Sequence, residues 1–198
     1  MMLGDADKGT LLGLARESIE AGLDLRTLAP LPPRSYPASL QEHRSAFVTL
    51  HLDQALRGCC GSIEPQYPLF EEVWRSAAAA AFGDPRFPAL RASEWPHTHV
   101  HVSVLERLQP MPSSSEEEVL NWLQPRTDGV VLQLGFARAT FLPSVWEQLP
   151  DKRSFLQHLK AKAGWPVDFW SPEIQAWRYG TESFEDVHAR TSPLTSSR

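Results

Sequence analysis

No hydrophobic run in the 198-residue chain approaches the length of a membrane span, and residues 1–7 (Met-Met-Leu-Gly-Asp-Ala-Asp) carry neither the basic region nor the apolar stretch of a secretory signal. The expectation is a protein that neither crosses a membrane nor carries an export signal. Basic charge is also short: 19 Lys and Arg stand against 24 Asp and Glu, a net charge of −5, which argues against nucleic acid as a main partner. Cysteine is scarcer still, with only Cys59 and Cys60, and adjacent cysteines cannot close an ordinary long-loop disulfide. That pattern points to a reducing compartment, with the cytoplasm as the expected location. Finally, no phosphate-cradling glycine loop, dinucleotide fingerprint or Ser/His/Asp motif occurs, and no cofactor is expected.

What is present is an ordinary soluble composition, 42% hydrophobic and 22% charged, in a chain long enough for one domain with a real core. Its most informative segment is Leu56-Arg57-Gly58-Cys59-Cys60-Gly61. Arginine is a fixed cation suited to carboxylate or phosphate, and glycine permits close backbone approach, so the composition is that of a site. A structural reading stands beside it, in which Gly58 and Gly61 mark a β-bulge and the cysteines are small buried hydrophobes.

That segment resembles the Leu-Arg-Gly-Cys-Ile-Gly signature of the AMMECR domain family, whose bacterial members are called AmmeMemoRadiSam system protein A. Further matches follow in order: residues 46–50 (Ala-Phe-Val-Thr-Leu), 84–88 (Asp-Pro-Arg-Phe-Pro), 102–105 (Val-Ser-Val-Leu), 128–130 (Asp-Gly-Val), 139–143 (Ala-Thr-Phe-Leu-Pro) and 177–179 (Trp-Arg-Tyr). Cys60 departs from the pattern, standing where the family has an aliphatic residue, so the resemblance marks Cys59 as the family-like cysteine and Cys60 as a packing residue. It also implies an α+β fold, with an antiparallel sheet, flanking helices and a smaller second lobe. Association with a Memo-like protein and a radical SAM enzyme is implied by the family's name and usual genetic neighbourhood; no activity is.

The local patterns agree with that fold class. Alternating apolar residues predict a strand over 46–52, a turn at Asp53-Gln54 and a second strand from Leu56 to Ile63. Helices are predicted over 10–21, over 69–81 behind Pro68, and over 116–123, where Ser115 and Glu118 have capping-box spacing; segments 143–149 and 153–163 also read as helical. Strands over 98–105, 129–134, 137–142 and 174–179 complete the set. Hairpins with interspersed helices, rather than regular strand–helix alternation, mean an antiparallel α+β arrangement. The expected domain covers 8–186, with the smaller lobe near 67–110 and a polar tail over 187–198.

Three chemistries compete. His97, His99 and His101 alternate as strand residues would, but Pro96 makes the orientation of His97 doubtful and no fourth ligand is evident, so no bound metal is expected. A nucleophilic Cys59 would need a cation or base, for which Arg57 and, across the hairpin, His51 are candidates depending on register. Arg57 with Asp84 and Arg86 would make a pocket for a small anionic ligand, Asp84 orienting one guanidinium; the competing reading is an ion pair that pins the proline-fixed loop to the sheet. The expected site therefore contains Cys59 as the reactive group with Arg57, Gly58, Gly61, Asp84 and Arg86 around a ligand. A non-catalytic adaptor is the alternative, which a buried Cys59 beside a broad apolar patch would favour.

Overall fold

The computed structural model describes residues 2–25 and 27–186. The expected polar tail over 187–198 lies outside them. Two compact units make up the described chain: one holds the residues through Val104 together with those from Glu182 onward, the other runs from Leu105 to Thr181. Of the segment 67–110 read as a smaller lobe, residues 67–104 belong to the first unit and 105–110 to the second. Each unit has its own four-stranded antiparallel sheet and its own core, so the fold class is α+β.

In the first unit, α1 (Asp5–Gly22) and α2 (Leu69–Phe82) accompany β1 (Ala46–Leu52), β2 (Ala55–Gly61), β3 (Thr98–Leu105) and β8 (Thr181–Glu185), in the sheet order β2-β1-β3-β8. The chain can turn between β1 and β2 in two residues because Asp53 and Gln54 both adopt positive φ, 48° and 68°, as a type I′ hairpin loop requires. Val48 and Leu50 of β1 and Val100, Val102 and Val104 of β3 are fully buried with Leu11, Leu14 and Ile19 of α1. The alanines of α2 serve a spacing role. Without larger side chains, the helix backbone settles so close to β2 that a Cβ built on Gly58 would lie 2.1 Å from the carbonyl oxygen of Ala80.

In the second unit, β4 (Gln109–Met111), β5 (Gly129–Leu134), β6 (Ala137–Phe141) and β7 (Gln175–Tyr179) form a sheet in the order β4-β7-β5-β6, with α3 (Glu116–Trp122) and α4 (Lys152–Lys162) beside it. Ser115 caps α3 by accepting from the Glu118 amide, while the Glu118 carboxylate reaches back to the Ser114 amide, one residue earlier than in the simplest capping box. Trp146 and Phe155 stack with ring centroids 3.8 Å apart at the centre of the core. The segment 143–147 is a short 3-10 turn rather than an α-helix, and β4 and β8 were not anticipated from the sequence.

Candidate functional site

The cysteine motif lies on β2, the edge strand of the first sheet. Register decides what each of its residues faces. Thr49 pairs with Cys59 and Val48 with Cys60, so the two cysteines point to opposite faces. Cys60 packs against the core cluster, and burial pushes its thiol pKa up. Cys59 is half-buried on the other face, where the Thr49 hydroxyl donates to its sulfur at 3.3 Å. Thr49 in turn pairs with His101 of β3, and His51 with His99, so Cys59, Thr49 and His101 form one row across three strands. Burial holds the His101 pKa below the ordinary histidine value, with His51 adding in the same direction and Glu185 opposing it. The residue across the hairpin from Cys59 is therefore Thr49, and His51 lies two residues further along the same strand.

Between Cys59 and the hairpin turn the ladder slips: Leu50 pairs with Gly58 but His51 with Leu56, leaving Arg57 as the unpaired residue of a β-bulge. That bulge interrupts the simple alternation by which Arg57 and Cys59 would share a face. Arg57 is clamped by Glu94, its Nε donating to Oε1 at 2.9 Å and its Nη2 to Oε2 at 3.1 Å, with a side chain only 9% exposed. The Arg57 pair also holds the Glu94 carboxyl below its usual pKa. Nothing in the sequence linked these two positions, which are 37 residues apart.

The loop after α2 supplies the second clamp. An edge strand leaves outward amides unpaired, and the Cys59 amide donates instead to Asp84 Oδ2 at 2.9 Å. The same carboxylate receives Arg86 Nε at 3.0 Å and Nη2 at 2.7 Å in a bidentate pair, and also the Arg86 amide at 3.1 Å. Asp84 is nearly inaccessible, its side chain 3% exposed, and these donors, led by the Arg86 guanidinium, hold its pKa far below the usual carboxylate range. Arg86 itself is 55% exposed, so the guanidinium is fixed on one side and open to solvent on the other. Phe87 completes the corner, with the guanidinium carbons of Arg57 and Arg86 6.0 and 5.5 Å from its ring centroid.

The structure thus joins Cys59, Asp84 and Arg86 by direct hydrogen bonds and sets Arg57 beside them with its charge answered by Glu94. Gly58 and Gly61 permit close backbone approach. A Cβ on Gly61 would fall 2.3 Å from the Ala46 carbonyl oxygen, much as one on Gly58 would strike Ala80. Of the histidines, His97 ends a 3-10 turn before β3 begins, apart from the strand that carries His99 and His101. Among the described residues, no group of three His, Cys, Asp or Glu side chains is placed to hold a metal ion, and no helix is long and apolar enough to cross a membrane.

Residues 12–184 match the AMMECR1 family model. The chain belongs to the AMMECR1 family. A protein of Methanocaldococcus jannaschii is 37% identical over 160 residues, covering 79% of this chain and 80% of the relative. Another from Methanothermobacter thermautotrophicus is 35% identical over 183 residues, 91% of this chain and 95% of its own. Among solved structures, an uncharacterized protein from Pyrococcus horikoshii aligns with a TM-score of 0.86 at 31% identity, covering 96% of both chains. The α+β fold and the extent of the family match agree with the resemblance carried by the motifs.

Proposed function

We propose that this AMMECR1 protein is a ligand-processing, enzyme-like protein in which Cys59 and Arg86 act together on a small anionic metabolite. The observation that carries the reading is the Asp84 carboxylate, which ties the Cys59 backbone amide to the Arg86 guanidinium. A cation held in this way costs little further ordering when an anion docks on its open side. The nearby sulfur is the nucleophile. The Thr49 hydroxyl donates to it, and His101, kept neutral by burial, stands beyond Thr49 in the same row as a proton acceptor. The row that carries Cys59 continues through the polar Thr49 and His101, which suits this reading better than an adaptor surface, which would call for a broad apolar patch.

The setting is a reducing cytoplasm, and the partners proposed are a Memo-like protein and a radical SAM enzyme that makes or consumes the metabolite. Native mass spectrometry of the protein isolated from its own cells tests the site. A bound anion retained by the wild type and lost from both Arg86→Gln and Cys60→Ile/Cys59→Ala supports the reading. The same molecules retained by all variants would refute it.

A further inference from the structure

A separate cleft of about 190 Å³ lies wholly within the second unit. Strand register builds it: Val130 pairs with Arg178 and Gly129 with Tyr179, which sets Asp128, the residue before β5, beside Arg178 of β7. Glu106 joins them because its amide donates to the Gly180 carbonyl at 2.9 Å. Gln109, Gln124 and Thr127 supply neutral polar walls.

Arg178 differs from the arginines of the cysteine motif and its loop. Arg57 and Arg86 each grip a carboxylate at two points, whereas Arg178 Nη1 stays 3.7 Å from Asp128 Oδ2, beyond hydrogen-bonding distance. Among the described residues its guanidinium makes no hydrogen bond, although the side chain is only 23% exposed. Its other neighbour is the half-exposed ring of Trp122, 5.6 Å from the guanidinium carbon. Asp128 is held in place by other bonds, with Oδ2 accepting from the Gln124 amide at 2.9 Å and its carbonyl from Trp146 Nε1 at 2.7 Å. A half-buried arginine whose guanidinium donors make no hydrogen bond to the protein is suited to receive an acceptor from a ligand.

The remaining charges specify that ligand. Asp128 and the exposed Glu106 place two carboxylates on the walls that carry one guanidinium. The Glu106 carboxylate lies over Gly180, where a Cβ would come within 2.7 Å of its Oε2, so a glycine is what lets it sit there. A simple anion would be repelled by the two carboxylates and a simple cation would leave the Arg178 donors unanswered, while a molecule bearing both charges satisfies the set. The volume falls below the range of drug-sized pockets, at the scale of a metabolite with few heavy atoms. We infer that this cleft binds a small zwitterion of the α-amino-acid class, its carboxylate on Arg178 and its ammonium between Asp128 and Glu106.

Isothermal titration of the full chain with the twenty common free L-amino acids, and with the decarboxylated and deaminated analogue of each one that binds, tests the inference. At least one amino acid should bind with a Kd of about 1 mM or tighter, and either analogue should bind at least about tenfold more weakly. Arg178→Gln should weaken binding by a similar factor, and Gly180→Ala should weaken it by displacing Glu106. If Arg178→Gln does not fold, Glu106→Gln at the exposed wall must show the loss instead. Absence of binding by every amino acid, an analogue that binds as tightly as its parent, or undiminished binding in the folded variants would overturn the inference.

Discussion

At the scale of residues, the two adjacent cysteines divide the labour of the motif. Cys60 faces the core where the family has an aliphatic side chain, so Cys60→Ile should change stability by less than about 1.5 kcal/mol, measured by urea denaturation. Loss of the folded state would show that the pocket around Cys60 requires the smaller thiol. Asp84 has the opposite character, because its contacts are to donors. Asp84→Asn keeps the shape but removes the charge that Arg86 and the Cys59 amide address, and should cost about 1.5–3 kcal/mol at neutral pH. Its pKa is lowered by folding, so the native state binds fewer protons than the unfolded chain. The stabilisation is then full above the unfolded-chain value of about 3.9 and lost as pH falls from there toward the depressed folded value. The gap between wild type and Asp84→Asn should therefore narrow below about pH 4; a gap independent of pH would contradict the assignment. The motif and the Asp84/Arg86 pair were legible in the sequence because their residue types announce a charged loop beside a cysteine. Glu94 was not, since its partner Arg57 lies on a different element and its neighbours form no recognisable motif.

At the scale of elements, the edge of β2 is where the architecture meets the chemistry. Its outward side is covered by the segment that follows α2, through Asp84 on the Cys59 amide and Glu94 on Arg57. Gly58 sets how closely α2 approaches, so Gly58→Ala should cost about 3 kcal/mol or more in chemical denaturation, since backbone rather than a flexible side chain obstructs the new methyl. A near-neutral Gly58→Ala would mean that α2 shifts freely and that the spacing role assigned to its alanines is wrong. Hairpins and helices were readable from alternation, propensity and caps, as β1, β2, α2 and α3 illustrate. The three-residue β4, which contains Pro110, and β8, with its charged and polar residues, carried no such pattern and owe their existence to pairing with distant strands. The bulge at Arg57 was foreshadowed by the glycines, but its position emerged only from register.

At the scale of the whole molecule, two sheets with separate cores carry two separate polar sites: the cysteine corner in the first unit and the Arg178 cleft in the second. The limits at 105 and 181 left no mark in composition because β3 and β8 continue through them. The family was legible because its motifs recur in order across both units, whereas the division into two units was not, since it depends on which strands pair. In the proposed site, Arg86 presents an open cation to anions that approach the Cys59 sulfur. Alkylation of Cys59 by iodoacetate and by neutral iodoacetamide, compared in Cys60→Ile with and without Arg86→Gln and followed by intact-protein mass spectrometry, tests it most directly. Arg86→Gln should lower the iodoacetate rate, relative to iodoacetamide, by roughly tenfold, as the loss of one charge-assisted contact implies. An unchanged ratio of the two rates, in a variant that remains folded, would contradict it.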